Sequence, residues 1–318
     1  MDHTILVTGA AGFAGSHLLD LLDRGPVPVV GWRRPGEPLP HGRTGDEILW
    51  MSVELLDRDA VVAAVERVRP TVVYHCAGAA HVGMSWDRTG ETFAINVLAT
   101  HHLLDALRRS GLAARVLIPG SALVYKPSDT AIDEDGPVGP ASPYGVSKLA
   151  QEMLATRMAR EAGLPVLVTR SFNHVGPRQH PSFFAPSFAR QIARIEAGLG
   201  EPVMKVGNLA ARRDLTDVRD TVRAYQALIE RGRPGTVYNV CSGRAFQIGE
   251  ILELLLARAR VPIRVAVDPA LCRPNDTPLV LGSCRRLADE LGWAPEIPIE
   301  RTADDLLRYW RDVTAAAG

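Results

Sequence analysis

Short apolar runs alternate with helical patterns along the first half of the chain. Strands are predicted over residues 4–7, 27–32, 48–53, 71–75, 115–119 and 166–170, where apolar and β-branched residues follow one another. Helices are predicted after the first run and over residues 60–68, 87–109 and 143–162. Because near-continuous apolar strands are typical of a sheet buried on both faces, the pattern predicts an α/β fold with a doubly wound parallel sheet.

The turn after the first strand contains Gly9, Gly12 and Gly15 in the spacing GxxGxxG. Glycines at such a turn let the backbone approach a pyrophosphate and let the next helix pack closely on the strand. The N-terminus of that helix then faces the phosphates. Three glycines alone would also fit an ordinary turn, but their place between a strand and a helix favours a dinucleotide site.

The second strand ends at Arg33 and Arg34, where NAD-binding sheets usually carry an acidic residue for the ribose 2′-hydroxyl. The first acidic residue here is Glu37, two residues beyond Pro35. Arginine pairs well with a 2′-phosphate. The pattern therefore favours NADP over NAD as the cofactor; the alternative is two solvated arginines at a strand end.

Composition excludes several classes of partner. Basic and acidic residues each total 36, so no net charge recruits nucleic acid or a membrane surface, and aromatic residues are few. No apolar run approaches the length of a membrane span, and the first residues do not resemble a signal peptide. The cysteines are scattered without the spacing of metal ligands, and they are interpreted as buried thiols of a cytoplasmic protein: Cys76, Cys241, Cys272 and Cys284.

Tyr144 and Lys148 lie four residues apart at the predicted start of a helix, so both side chains project from one face. Ser142 is a suitable N-cap, and Pro143 suits the first helical position. An ammonium group beside a phenol is expected to lower the phenol pKa, and such a tyrosine can exchange a proton with a carbonyl or an alcohol. A surface tyrosine–lysine pair is the alternative interpretation.

Other polar residues follow the carboxyl ends of the predicted strands, where parallel sheets place their chemistry. Ser121 follows the strand at 115–119 and could hydrogen-bond a reacting carbonyl. His75 is interpreted as a core histidine, and His81 as a candidate substrate contact. Asn96 lies inside a predicted helix, where asparagine is unfavourable, which indicates a local role.

With these motifs together, the chain resembles the extended short-chain dehydrogenase/reductase family. It is most similar to the subgroup of GDP-mannose 4,6-dehydratase and GDP-4-keto-6-deoxymannose reductase. The resemblance extends over nearly the whole chain and is most specific in segments 170–177, 205–209, 213–220, 237–243 and 273–276. It implies an NAD(P)-dependent oxidoreductase of deoxysugar biosynthesis that transfers hydride at sugar C4. The alternative hypothesis is a cofactor-binding protein without catalytic activity. Inactive relatives usually lack the tyrosine or the lysine, whereas this chain keeps both Tyr144 and Lys148.

The resemblance also implies roles by position. Ser121, Tyr144 and Lys148 would be catalytic, and Asn96 would support the lysine through its backbone and a water. The residues along the cofactor would be Gly9, Gly12, Phe13, Gly15, Arg33, Glu54, Leu55, Ala77, Tyr144, Lys148 and His174. The residues that contact a nucleotide sugar would be Asn173, Lys205, Arg213, Arg273 and Asp276, with His81 as the further candidate. A guanidinium group can pair with the oxygens of a pyrophosphate, which suits Arg213 and Arg273 to this role. A surface ion pair is the alternative interpretation for either arginine.

Leu123 departs from the pattern, because the dehydratases carry a glutamate there that assists loss of water. Lys126 replaces an expected glycine. The departure at Leu123 ranks 4,6-dehydration last. Reduction of a 4-keto-6-deoxy sugar nucleotide is favoured because Arg33 and Arg34 indicate NADP. Epimerisation at C4 with retained NAD is the alternative, because an apolar side chain such as Leu123 does not hinder rotation of the keto sugar in the site.

Two lobes are expected, with the active site in the cleft between them. The dinucleotide-binding domain is assigned residues 1–172 and about 213–242, and the substrate lobe about 173–212 and 243–318. The resemblance implies a homodimer that pairs through the helices at about 87–109 and 143–162. The expected partner is a nucleotide-diphosphate sugar, and neither nucleic acid nor a membrane is expected.

Overall fold

The structure, a computed structural model, describes residues 3–23, 25–39, 48–272 and 277–316. The strands of this part of the chain, β1 to β13, are Ile5–Thr8, Val29–Arg33, Leu49–Ser52, Val72–His75, Arg115–Pro119, Val166–Ser171, Asn173–Val175, Val203–Val206, Arg212–Asp217, Val237–Val240, Ala245–Gln247, Arg264–Val267 and Leu279–Val280. Its α-helices, α1 to α11, are Phe13–Leu22, Arg58–Val68, Met84–Asp87, Thr89–Phe93, Ala99–Arg109, Pro143–Ala162, Phe184–Glu196, Val218–Arg231, Ile248–Leu256, Arg285–Leu291 and Ile299–Ala316.

Seven strands form one parallel sheet in the order β10-β6-β5-β4-β1-β2-β3. The predicted doubly wound parallel sheet is confirmed, and the six predicted strands all lie in it. The chain reverses its direction across the sheet between β1 and β4, whose last residues are Thr8 and His75. Ligands of open parallel sheets bind at the carboxyl ends of the strands at such a point.

Apolar layers cover both faces of this sheet. On one face, Leu18 of α1 and Leu228 of α8 belong to a buried cluster that also takes in Leu287 of α10. On the other face, Val61 of α2, Leu103 of α5 and other buried residues pack on the strands. Burial on both faces explains why the strand sequences are almost entirely apolar.

The second lobe contains a four-stranded sheet of β7, β9, β11 and β13 and a two-stranded sheet of β8 and β12. Helices α7, α9 and α11 contribute to its separate apolar core. The chain returns to the first sheet through α8 and β10. The exact boundaries of the two lobes stay a prediction.

The segment predicted as one long helix over 87–109 is broken. Helix α4 is followed by a π-helical turn over Ala94–Leu98, and α5 begins at Ala99. The side chain of Asn96 lies inside this turn and is fully buried. A π-helical turn inserts one residue into the helical repeat and is common at functional sites.

The prediction that all four cysteines are buried thiols was wrong. Each carries a free thiol, but only Cys241 is buried, and Cys272 is exposed. Cys272 ends a short 3-10 turn over Pro269–Leu271 at the surface. Among the described residues, none of the helices combines the length and apolar character needed to span a membrane.

Candidate active site

Helix α6 begins where the sequence predicted. Ser142 has extended backbone angles, and its hydroxyl accepts a hydrogen bond from the Gly145 N–H at 3.1 Å. Pro143 is the first helical residue. This N-cap fixes the first turn of α6, which carries Tyr144 and then Lys148 into the buried space above the sheet.

Ser121 and Tyr144 lie together at the carboxyl end of β5. Ser121 caps a 3-10 turn over Ala122–Val124, and its hydroxyl accepts the Leu123 N–H at 3.2 Å. Interaction with the Ser121 side chain lowers the pKa of the Tyr144 phenol. Burial is the larger effect and raises the pKa of Tyr144 above its ordinary value. The predicted lowering of this pKa by Lys148 was wrong for this structure.

Lys148 directs its ammonium group elsewhere. Its Nζ donates to the carbonyl oxygen of Pro119 at 2.8 Å and to Oε1 of Gln151 at 2.7 Å. Burial lowers the pKa of Lys148 to about 8, because the surroundings solvate the charge poorly. The half-buried Cys76 also acts on the pKa of Lys148 and raises it.

Asn96 connects three segments around this site. Its Oδ1 accepts the Ala79 N–H at 2.8 Å, and its Nδ2 donates to the Ser147 hydroxyl at 2.9 Å. Its backbone carbonyl accepts the Thr100 hydroxyl at 2.7 Å. The amide therefore ties the loop after β4 to α6. The predicted water between Asn96 and Lys148 stays a prediction.

Sequence reasoning missed several of these residues. Ser85, Thr100, Ser147 and Gln151 are all buried polar residues that bond to the predicted site. Gln151 follows Lys148 by three residues, so helical spacing could have placed the two together. Ser147 precedes Lys148 directly, and Thr100 lies one helical turn after Asn96, so their positions were also within reach of local spacing. Ser85 comes from a distant segment, and no local pattern indicates it.

The glycine turn fits a dinucleotide phosphate. Gly9 has a φ of +61°, and a Cβ there would lie 2.6 Å from the Ala77 nitrogen. At Gly15 a Cβ would lie 2.2 Å from the Gly9 carbonyl oxygen. Helix α1 starts after Gly12, without a side-chain cap and without an acidic residue in its first turn. Its N–H groups are thus left for an anion such as a phosphate.

Other predicted cofactor residues surround this turn. The Phe13 ring stacks on His174 at a centroid distance of 5.5 Å, so the second lobe reaches the glycine turn. Arg33 donates to the Glu37 carbonyl, and Arg34 is exposed beside it. Glu54 and Leu55 follow β3, the next strand of the sheet. These positions lie around the carboxyl ends of β1, β2 and β3, as an extended dinucleotide would require.

The predicted substrate residues are spread over the second lobe and its border. His81 bonds the Ser182 hydroxyl at 3.0 Å and stacks on Phe183, so it joins the two lobes. Asn173 begins β7 and is exposed. Lys205 on β8 is exposed, with its Nζ 4.0 Å from an Asp268 oxygen.

Arg213 lies on β9 and donates to the Thr277 carbonyl at 2.7 Å. The other two predicted residues, Arg273 and Asp276, lie outside the described residues.

Known proteins match this chain along nearly its full length. The family model for GDP-mannose 4,6-dehydratase matches residues 6–306. GDP-6-deoxy-D-mannose reductase of Pseudomonas aeruginosa is 37% identical over 313 residues, which cover 98% of each chain. The solved structure of RMD from P. aeruginosa complexed with NADPH has a TM-score of 0.86 and 35% identity, and covers 98% of this chain and 99% of its own. UDP-glucose 4-epimerase from Thermotoga maritima with UDP-glucose has a TM-score of 0.87 and 25% identity, with 98% and 99% covered.

Proposed function

The chain belongs to the GDP-mannose 4,6-dehydratase family of short-chain dehydrogenase/reductase enzymes, and we propose that it is an NADPH-dependent reductase of a 4-keto-6-deoxy nucleotide sugar. The observation that carries the proposal is the buried pair of Ser121 and Tyr144 beside Leu123. The pair can protonate a carbonyl oxygen, whereas Leu123 lacks the acid that dehydration needs. A relative named GDP-6-deoxy-D-mannose reductase supports this choice.

NADPH would lie along the glycine turn, with its pyrophosphate at the N-terminus of α1. Arg33 and Arg34 would hold the 2′-phosphate, and Glu54 and Leu55 would lie beside the adenosine. Lys148 and His174 would line the nicotinamide end. When bound, the cofactor supplies the hydride. An NADPH complex of a 35% identical protein supports this choice of cofactor.

The nucleotide sugar would bind in the cleft between the lobes. Arg213 and Arg273 would pair with its pyrophosphate, and guanine is the favoured base because of the family. Asn173, Lys205, Asp276 and His81 would complete the contacts. Arginines can pair two phosphate oxygens through one guanidinium, which suits them to this role.

The protonated Tyr144 can supply the proton that reduction of a carbonyl needs. Because burial raises its pKa, the phenol is protonated at neutral pH. A reductase needs such a proton at the C4 oxygen, whereas oxidation of a C4 alcohol first needs a phenolate. Ser121 would hydrogen-bond the same oxygen and orient it. Lys148 would add positive charge near the oxygen that becomes negative.

The protein would act as a homodimer. Leu98 of the π-helical turn and Val146 and Met153 of α6 are large apolar side chains with 45%, 41% and 65% exposure. They lie on the two helical segments that the family resemblance assigns to the interface. Exposed apolar residues that cluster on neighbouring helices are typical of a surface covered by a partner.

Replacement of Tyr144 by Phe tests the proposed chemistry, because it removes only the phenolic oxygen. We expect the turnover number to fall by about 10²-fold or more. NADPH binding, followed by the fluorescence of the reduced nicotinamide, should persist. Tyr125→Phe is a matched control at a buried tyrosine that bonds Asn239. Full activity of Tyr144→Phe would refute the mechanism.

A further inference from the structure

A chain of buried hydrogen bonds leads away from Lys148 into the core. Gln151 accepts from the Lys148 ammonium through Oε1 and donates through Nε2 to the Thr100 hydroxyl at 2.8 Å. His75 Nε2 lies 2.9 Å from the same hydroxyl, and its Nδ1 lies 2.8 Å from the hydroxyl of Thr8. All five side chains are buried, so the chain joins α6, α5, β4 and β1 through the interior of the protein.

The partners of this chain fix its proton positions. The Thr100 hydroxyl donates to the Asn96 carbonyl at 2.7 Å, so it must accept from both Gln151 and His75. His75 is then protonated on Nε2, and its Nδ1 accepts from Thr8. The hydroxyl of Thr8 in turn accepts the Ala77 N–H at 3.3 Å. Because Oε1 of Gln151 accepts from Lys148 and its Nε2 donates to Thr100, the amide of Gln151 cannot flip without breaking two bonds.

We infer that Gln151 is a positioning residue, which anchors the Lys148 ammonium to the core through Thr100 and His75 and so leaves one N–H to face the ligands. The ammonium has three donors, and the carbonyls of Pro119 and Gln151 occupy two of them. The direction of the third is therefore set by two fixed acceptors. That the third N–H contacts a ligand rests on the proposed function. The anchoring of the ammonium group rests on the hydrogen bonds alone.

Among the described residues, the ionisable groups that interact with Lys148 and with its hydrogen-bonded partners are neutral. His75 is neutral because burial lowers its pKa to about 3, and burial raises the pKa of the Cys76 thiol to about 12. Tyr144 is protonated at neutral pH because burial raises its pKa. The ammonium is thus stabilised by oriented carbonyl dipoles and not by a carboxylate. An amide does not readily pass a proton along, so the chain holds Lys148 in place and does not relay protons.

The chain contains only three lysines, Lys126, Lys148 and Lys205, so each ammonium can be titrated separately. Protein labelled with ¹³C at the lysine ε-carbon gives one signal for each, and Lys148→Arg identifies the signal of Lys148. We expect a midpoint near 8 for Lys148. Gln151→Met keeps the length of the side chain and removes the acceptor, so the midpoint should fall by about one unit. Gln151→Glu supplies a carboxylate, so the midpoint should rise by about one unit.

The pH dependence of kcat/KM should shift with the Lys148 midpoint, downward in Gln151→Met and upward in Gln151→Glu. At pH 8, a fall of one unit lowers the ammonium fraction from about one half to about one tenth, so kcat/KM of Gln151→Met should fall roughly fivefold. Gln151→Glu should keep or raise the parent value at pH 8, and its alkaline limb should move upward. Gln226→Met, at a half-buried glutamine of α8, is the matched control and should change neither the midpoint nor the rate.

Unchanged Lys148 midpoints in both Gln151 variants would overturn the inference, as would equal shifts in the same direction. Should Gln151→Met not fold, the isosteric Gln151→Glu carries the same test. The titration needs no substrate. A protein that turned out not to reduce a keto sugar would therefore refute the proposed function and leave the anchoring of Lys148 to be judged by the midpoints alone.

Discussion

The hydroxyl oxygen of Ser85 accepts a hydrogen bond from the backbone N–H of Tyr144 at 3.1 Å. The same hydroxyl donates to the Val82 carbonyl at 2.7 Å, and Ser85 is fully buried. This N–H belongs to the first turn of α6 and has no partner within the helix. Ser85 therefore joins α3 to the turn that carries the proposed proton donor.

Replacement of Ser85 by Ala should impair catalysis more than stability. The Tyr144 N–H would lose its buried acceptor, and the first turn of α6 would be free to shift, so we expect kcat to fall about tenfold or more. NADPH affinity should stay close to that of the parent protein. Ser142→Ala, which removes the helix cap, is the control and should cost about 1 kcal/mol of unfolding free energy. Unchanged kcat in Ser85→Ala would show that Ser85 does not position Tyr144.

The two arginines after β2 should determine the choice of cofactor. Replacement of Arg33 by Asp together with Arg34 by Ser should weaken NADPH far more than NADH, because each charge-assisted bond to a phosphate contributes about 1.5–3 kcal/mol. Dissociation constants from nicotinamide fluorescence measure the difference. Arg67→Ser, at an exposed position of α2, is the control. Equal losses for both cofactors would mean that Arg33 and Arg34 only shape the loop.

The proposed dimer should dissociate when charge enters its interface. Val146→Glu combined with Met153→Glu would bury two carboxylates against a partner, which is unfavourable without counter-charges. We expect the sedimentation coefficient to change from that of a dimer to that of a 34.4 kDa monomer. Val267→Glu, at an apolar residue with 63% exposure on β12, should leave the parent state unchanged. A monomeric parent protein would contradict the proposed interface directly.

His75 should make the fold sensitive to acid. Its pKa is lowered by burial to about 3 in the folded state, whereas the unfolded chain titrates near its ordinary value of 6.5. Between these values the unfolded chain binds more protons, so stability falls as the pH falls, by about 1.4 kcal/mol per unit for this group. His17, with a pKa of about 4, acts in the same direction. The unfolding free energy can be measured by urea denaturation at several pH values from 6.5 to 5. It should fall less steeply with falling pH in His75→Gln than in the control His101→Gln. Equal slopes would assign the acid sensitivity to other groups.

The sequence predicted those features that depend on local pattern. The strands of the large sheet are mostly apolar, so the pattern placed them. Helix α6 has both its cap and its proline in sequence, so its start could be placed to the residue. The break at Asn96 could not be predicted, because it depends on bonds to Ala79 and Ser147 from elsewhere in the chain. An asparagine inside a helix was the one local indication of it.

The local sequence pattern also could not predict the direction of the Lys148 side chain. Helical spacing placed it beside Tyr144, but the acceptors that hold it are the Pro119 carbonyl and Gln151. The pKa of Tyr144 depends on burial, which only the packed fold determines. The structure also shows what Lys126 contacts. A Cβ at Gly139 would lie 2.6 Å from the Lys126 Cγ, so the aliphatic part of the lysine side chain packs on this glycine.

The most direct measurement of the proposed function follows NADPH absorbance at 340 nm with two substrates. One is a GDP-4-keto-6-deoxyhexose, and the other is the parent GDP-hexose. The account predicts stoichiometric oxidation of NADPH with the keto sugar and none with the parent sugar, because a protonated Tyr144 serves the reduction of a carbonyl. Interconversion of two C4 epimers without added NADPH, and without a keto product, would contradict it.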